Sequence, residues 1–121
     1  NYQPILEKYG LNFTFLVTPE TSEERIQYLD SLSSGFLYAV SSSSTTGNEN
    51  KEVKNDEYLN KLASINLKNP VMIGFGIKNK TDFEQVTEKS QGGIIGTAFV
   101  KILLENKDWK EKAEEFIKAI K

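Results

Sequence analysis

The stretch VMIGFGIKNKTDFEQV, residues 71–86, contains an apolar run, a turn with two glycines and an amphipathic pattern in direct succession. Residues 71–73 predict a short β-strand, and residues 79–88, which open with a helix-capping Asn or Thr, predict an α-helix. A glycine just past a strand lets the main chain approach a ligand closely, and the N–H groups of a following helix favour an anion. The stretch therefore predicts a βα unit with an anion-binding turn.

The same order of elements repeats along the chain on both sides of this unit. Three further apolar runs, at residues 13–17, 36–40 and 93–95, predict strands, and their lack of in/out alternation is typical of strands buried on both faces of a parallel sheet. Strands that alternate with helices predict right-handed βαβ units.

Further helical patterns fill the spaces between the strands and follow the last one. They cover residues 23–32, 56–65 and 98–104, and the amino end already has a helical composition. In the final helix, Asp108 and Glu111 have the spacing of a capping box. Residues 41–55 are polar and long for a βα loop, and the sequence leaves open whether they form a mobile lid or a plain surface segment.

Composition limits the chain to a small α/β domain, which we take as residues 1–121. Its 121 residues are 38% hydrophobic with a net charge of −2, and no basic patch indicates a nucleic acid or an anionic membrane as partner. The absence of Cys and His excludes disulfide scaffolds, thiol nucleophiles and the commonest general base. Without a membrane-length apolar run or a signal-peptide pattern, we expect a cytoplasmic protein.

The number of predicted units sets the architecture. The chain opens in NYQPILEKYG, without Met and as if a helix were already under way, so we expect a fragment or processed piece. Four βα units are too few for a closed (β/α)₈ barrel, which needs about 250 residues. The sequence therefore predicts either half of such a barrel or a small open sheet.

Glycine turns follow three consecutive predicted strands, at Thr46-Gly47, at residues 74–76 and at Gly96-Thr97. In (β/α)₈ barrels a phosphate site recurs after the last two strands and is completed by a short extra helix. The three turns together predict one phosphate held by main-chain N–H groups. The alternative is that each glycine only turns the chain, and the sequence leaves both interpretations open.

The acidic residues do not form a catalytic arrangement. They sit in predicted loops or helix starts, where solvation or helix capping accounts for them. We therefore assign no catalytic role and no metal site to Glu20, Glu23, Glu24, Glu49, Glu52, Asp56 or Glu57.

The chain also resembles a known family. FTFLVTPETSEERI, GFLYAVSSSSTTGNEN, PVMIGFGI and GGIIGTAFVK are similar, in order and approximate spacing, to the carboxyl-terminal half of the alpha subunit of tryptophan synthase. The resemblance implies a (β/α)₈ TIM barrel, of which this chain covers about the last four βα units. It also implies a lyase of tryptophan biosynthesis that cleaves indole-3-glycerol phosphate to indole and glyceraldehyde 3-phosphate by a retro-aldol reaction.

The resemblance further implies partners and site residues. The partner is the beta subunit in an α₂β₂ complex, which carries pyridoxal phosphate itself, so no cofactor is expected in this chain. The substrate phosphate would be held by Gly47, Gly76, Gly96 and Thr97, the last standing where a serine is usual. The indole and glycerol part would be lined by Leu16, Tyr38 and Phe75. Thr46 matches a lid threonine that hydrogen-bonds the catalytic aspartate and couples lid closure to the partner.

The chain departs from the family at two points. The family's catalytic glutamate and aspartate both lie in the first half of the barrel, so we expect this chain alone to be inactive. Ser44 also replaces a glycine that is usual in the lid approach. One alternative is a non-catalytic phosphate-binding half-barrel that self-associates through its open sheet edges. Another is an isomerase of histidine or tryptophan biosynthesis, against which stands the lack of a catalytic carboxylate near the turns.

Overall fold

The computed structural model describes residues 2–40, 51–74 and 76–121. Within those ranges strands and helices alternate along the chain, as the sequence predicts. The strands are β1 (Phe15–Val17), β2 (Leu37–Ala39), β3 (Val71–Ile73) and β4 (Gly92–Gly93). The helices are α1 (Gln3–Lys8), α2 (Glu23–Leu32), α3 (Lys51–Ser64), α4 (Lys80–Thr87), α5 (Thr97–Glu105) and α6 (Trp109–Ile120).

The strands form one parallel sheet in the order β1-β2-β3-β4. Leu16, Tyr38, Met72 and Gly92 are register partners across it. Because every strand runs in the same direction, all four carboxyl ends lie at one edge of the sheet, and each strand is followed along the chain by a helix. This confirms the predicted succession of parallel βα units.

The sheet is buried on one face only, so the prediction of burial on both faces is wrong. Val17, Ala39 and Ile73 are fully buried on the face that the helices cover, where residues from α2, α3 and α4 complete the core. On the opposite face, Leu16 is 57% exposed and Tyr38 is only half-buried. The physical reason is that the connecting helices lie on one side and no described element covers the other.

Side-chain caps occur at two described helix starts, and the one at Asn79 was predicted. The Ser22 hydroxyl accepts a hydrogen bond from the Arg25 N–H at 3.2 Å, and the Asn79 side chain accepts one from the Asp82 N–H at 2.9 Å. The capping box predicted at Asp108 is wrong, because Asp108 makes no side-chain cap bond. Its φ of −95° and ψ of 40° lie outside the extended region that a capping residue normally adopts.

Several element boundaries also differ from the prediction, among them the start of α3 and the end of β4. Helix α3 begins at Lys51 rather than at residue 56, and Lys and Glu, which open it, have good helix propensity. Strand β4 ends at Gly93 rather than at residue 95. Its neighbour β3 ends at Ile73, whose carbonyl takes the last hydrogen bond, from the Ile94 N–H at 2.7 Å.

Among the helices that the structure describes, none combines the length and apolar character that a membrane span requires.

A buried carboxylate connects α2 to the segment that enters β3. Asp30 is 5% exposed and accepts hydrogen bonds from the Lys68 N–H at 2.7 Å, the Asn69 N–H at 2.9 Å and the Asn69 side-chain amide at 3.0 Å. Burial acts to raise the pKa of Asp30, but these hydrogen bonds favour the charged form and hold the pKa below its ordinary value of 3.8. Asp30 therefore stabilises the fold as a carboxylate.

We expect Asp30→Asn to lower the free energy of unfolding at pH 7 by about 1–3 kcal/mol, because buried donors lose a charged acceptor. Since the folded pKa is lowered, the contribution is present above the unfolded pKa of 3.8 and is lost as the pH falls through the folded value. Urea unfolding of both proteins from pH 7 down to acid should show the difference shrinking. The exposed Asp56→Asn is the matched control, and a pH-independent difference would contradict the assignment.

Candidate functional site

A cavity of about 700 Å³ opens at the edge of the sheet where the strands have their carboxyl ends. Its walls come from Tyr38 of β2, the turn after β3, the start of α5 and Phe116 of α6. Phe116 is held there by packing of its ring against Phe99, with the ring centroids 6.2 Å apart. The cavity therefore lies where the sequence predicts a ligand.

The structure places the predicted site residues in three groups. Tyr38, Gly76, Gly96 and Thr97 line the cavity together. Leu16 is the register neighbour of Tyr38 on the uncovered face of the sheet and is not part of the cavity wall. Thr46, Gly47 and Phe75 lie outside the described residues, as do residues 41–50 of the lid predicted at residues 41–55, whose last five residues belong to α3. The ligand roles of all these residues stay predictions.

The turn after β3 has an open main chain at Gly76. Gly76 has a φ of +67°, a conformation that glycine adopts without the cost other residues incur. A Cβ at this position would meet no heavy atom within 4 Å. The space beside the main chain is thus open, which a ligand held by main-chain N–H groups requires.

The second main-chain element in the wall is the N-terminus of α5. Its capping residue, Gly96, has no side chain that could accept a hydrogen bond from the first turn. That turn contains no acidic residue. A Cβ on Gly96 would also meet nothing within 4 Å. The N–H groups of a first helical turn carry partial positive charge and lack partners within the helix, so this end of the cavity is suited to an anion.

Tyr38 is positioned by close contact with Gly74. A Cβ on Gly74 would overlap the edge of the Tyr38 ring and would lie 2.6 Å from both Cζ and the hydroxyl oxygen. The ring therefore occupies the space that any larger residue at position 74 needs. Only glycine at the end of β3 allows Tyr38 to form this part of the wall.

Two lysines belong to the cavity wall, and we did not predict them from the sequence. Lys78 follows Gly76 by two residues, and Lys101 lies one helical turn after Thr97. Among the described residues that form the wall, none is acidic. Thr97 and Lys101 have an i, i+4 spacing, so the sequence could have placed both on the same face of α5. The sequence could not have placed Phe116 at the cavity, because its approach depends on how α6 packs.

The buried hydroxyl of Tyr58 does not belong to the cavity wall. Burial, with a smaller effect from the charge of Glu20, raises the pKa of the Tyr58 hydroxyl. That hydroxyl donates a 2.9 Å hydrogen bond to the carbonyl of Val17, which connects α3 to the end of β1. Tyr58 is therefore a buried structural residue. Over the described part of the chain, no group of carboxylates could hold a metal ion.

Comparisons with known proteins agree with this geometry. The family model for the tryptophan synthase alpha chain matches residues 1–121. The chain is 47% identical over 121 residues to the tryptophan synthase alpha chain of Flavobacterium johnsoniae, covering 99% of this chain and 47% of that one. It is also 47% identical over 118 residues to the corresponding protein of Bacteroides thetaiotaomicron, with 93% and 44% covered.

A solved structure has the same fold. The tryptophan synthase A-subunit of the hyperthermophile Pyrococcus furiosus superposes with a TM-score of 0.80 at 28% identity, covering 98% of this chain and 48% of that one. The four parallel strands with their helices are thus half of a (β/α) barrel. The chain spans about half the length of the relatives that it matches.

We expect Gly74→Ala to displace the Tyr38 ring and to lower the free energy of unfolding by about 1–3 kcal/mol, as overpacking of a tight contact does. Gly96→Ala is the matched control, since its added methyl meets open space and only the lower N-cap preference of Ala, about 1 kcal/mol or less, should reduce stability. In a Tyr38→Ala background, Gly74→Ala should cost less. Urea denaturation measures all of these values, and equal costs in both backgrounds would refute the contact.

Proposed function

Because this chain belongs to the tryptophan synthase alpha chain family, we propose that it is the phosphate-binding half of a tryptophan synthase alpha subunit. The reaction of the whole subunit would be the retro-aldol cleavage of indole-3-glycerol phosphate to indole and glyceraldehyde 3-phosphate, a lyase step of tryptophan biosynthesis. The chain would constitute one half-domain, residues 1–121, of the complete barrel and would act in the cytoplasm.

One observation carries this proposal. The open turn at Gly76 and the uncapped N-terminus of α5 at Gly96 and Thr97 border the same cavity, whose described lining contains no acidic residue. Main-chain N–H groups at a helix N-terminus bind phosphate without needing a side chain. A phosphate ester is therefore the ligand that this edge of the sheet suits best.

The remaining roles rest on the family. Tyr38, together with Leu16 and Phe75, would line the indole and glycerol part of the substrate. Gly47 would complete the phosphate site, and Thr46 would couple the lid to catalysis. The catalytic carboxylates would come from the other half of the barrel, in line with a cavity whose described wall has no carboxylate. The partner would be a beta subunit that holds pyridoxal phosphate, and this chain would need no cofactor.

Glycerol 3-phosphate should shift the amide NMR signals of Gly76, Gly96 and Thr97, and Gly96→Asp should abolish binding. Gly96 has a φ of −111°, outside the left-handed region that favours glycine, and a Cβ there meets no heavy atom within 4 Å, so this variant should stay folded while its carboxylate repels the phosphate. Gly10, an exposed glycine after α1, provides the control signal, and Asn60→Asp, at an exposed position of α3 outside the cavity wall, provides the control variant with an added carboxylate. Unmoved signals at all three amides would exclude a preformed phosphate site.

A second candidate function is self-association of a non-catalytic phosphate-binding half-barrel. The uncovered sheet face favours it, because Leu16 is 57% exposed there beside the half-buried side chains of Tyr38 and Met72. In the described sheet, β1 and β4 each have one strand neighbour, so their outer edges are available for pairing with another chain.

The two candidates differ in what the chain does when isolated. Under the first, it releases no indole from indole-3-glycerol phosphate, since it lacks acid–base groups that contribute roughly 10²–10⁴-fold each, and a polypeptide with the other barrel half restores release. Under the second, native mass spectrometry shows a self-paired species and the other half restores nothing. Indole release by the isolated chain, with contamination excluded, would refute both.

A further inference from the structure

Lys78 and Lys101 come from the same two structural elements as the proposed phosphate-binding main chain. Lys78 is in the turn between β3 and α4, two residues past Gly76, and Lys101 is in α5, four residues past Thr97. Residues four apart on a helix lie on one face, so Lys101 and Thr97 approach the cavity from the same side of α5. Each proposed anion-binding element thus contributes one lysine to the wall.

Neither lysine is neutralised within the described part of the chain. The salt bridges found there join Lys80 to Glu84 and Lys112 to Glu115, both outside the cavity wall. The carboxylate next to Lys78 belongs to Asp82, which accepts a 3.0 Å hydrogen bond from the Lys78 N–H at the start of α4. Glu105 lies one turn beyond Lys101 on α5 and does not pair with it.

The two kinds of donor differ in what they contribute. Main-chain N–H groups have fixed directions and position an oxyanion, but together they carry only about half an elementary charge at a helix N-terminus. A lysine ammonium is a full point charge on a flexible stem, which neutralises an anion without fixing its orientation. A dianion held by main chain alone would leave most of its charge uncompensated in the cavity.

We propose that Lys78 and Lys101 make this cavity selective for a phosphate dianion, the charge state of a phosphomonoester, over monoanions of similar size. The main chain at Gly76, Gly96 and Thr97 orients the phosphate, and the two ammonium groups balance its charge. This inference rests on the proposed phosphate site and adds to it the residues that set the charge of the ligand.

The test is isothermal titration calorimetry of the protein with glycerol 3-phosphate, a dianion, and dimethyl phosphate, a monoanion, at several salt concentrations. Lys78→Gln and Lys101→Gln should each weaken glycerol 3-phosphate binding by about 3–10-fold, as loss of one partly exposed charge contact does. The double variant should show the larger loss and a weaker salt dependence. Dimethyl phosphate affinity should change less in every variant.

Lys107→Gln is the matched control, since Lys107 is an exposed lysine between α5 and α6 that makes no part of the cavity wall. It removes the same charge and should leave both affinities unchanged. If the unmodified protein binds no glycerol 3-phosphate, the proposed phosphate site itself is refuted. If it binds and the lysine variants match the control in affinity and salt dependence, the phosphate site stands and the charge-selective role of the lysines is refuted.

Discussion

On the uncovered face of the sheet, large side chains of one strand pack against glycines of the neighbouring segment. This packing determines where the wall of the cavity lies. The Tyr38 ring lies against Gly74, and the Met72 sulfur would be 2.7 Å from a Cβ on Gly92. Strands are about 4.8 Å apart, so a large side chain can lie across its neighbour only where that neighbour has none. The wall formed by Tyr38, and with it the cavity, depends on glycine at the end of β3.

The buried core and the cavity lie at different parts of the sheet. The fully buried side chains Val17, Ile26, Leu37 and Ile73 all belong to the helix-covered face, where apolar burial stabilises the fold. The hydrogen bonds of Asp30 strengthen that side from within. Substitutions on the open face can therefore alter the cavity while most of the core keeps its contacts, which is why the same chain can be stable and still present an exposed apolar surface.

Local sequence patterns predicted the helices and strands well, but they did not predict which faces of these elements are buried. The bounds of α2 were predicted correctly because Ile26 and Leu29 give a helical period. The one-sided burial of the strands was missed because continuous apolar runs do not tell which face other elements cover. The glycine turns predicted which main-chain segments border the cavity, whereas Phe116 reaches the wall only through the packing of α6.

The strand order also limits the shape of any ligand that the proposed site accepts. The phosphate donors follow β3 and β4, while Leu16 and Tyr38 are neighbours in register on β1 and β2. One ligand that contacts both sets must extend across two to three strand spacings, about 10–15 Å. Main-chain donors at one end recognise only the phosphate, so the side chains at the other end must distinguish one phosphate ester from another. An elongated ligand with a phosphate at one end and an apolar ring system at the other meets both requirements.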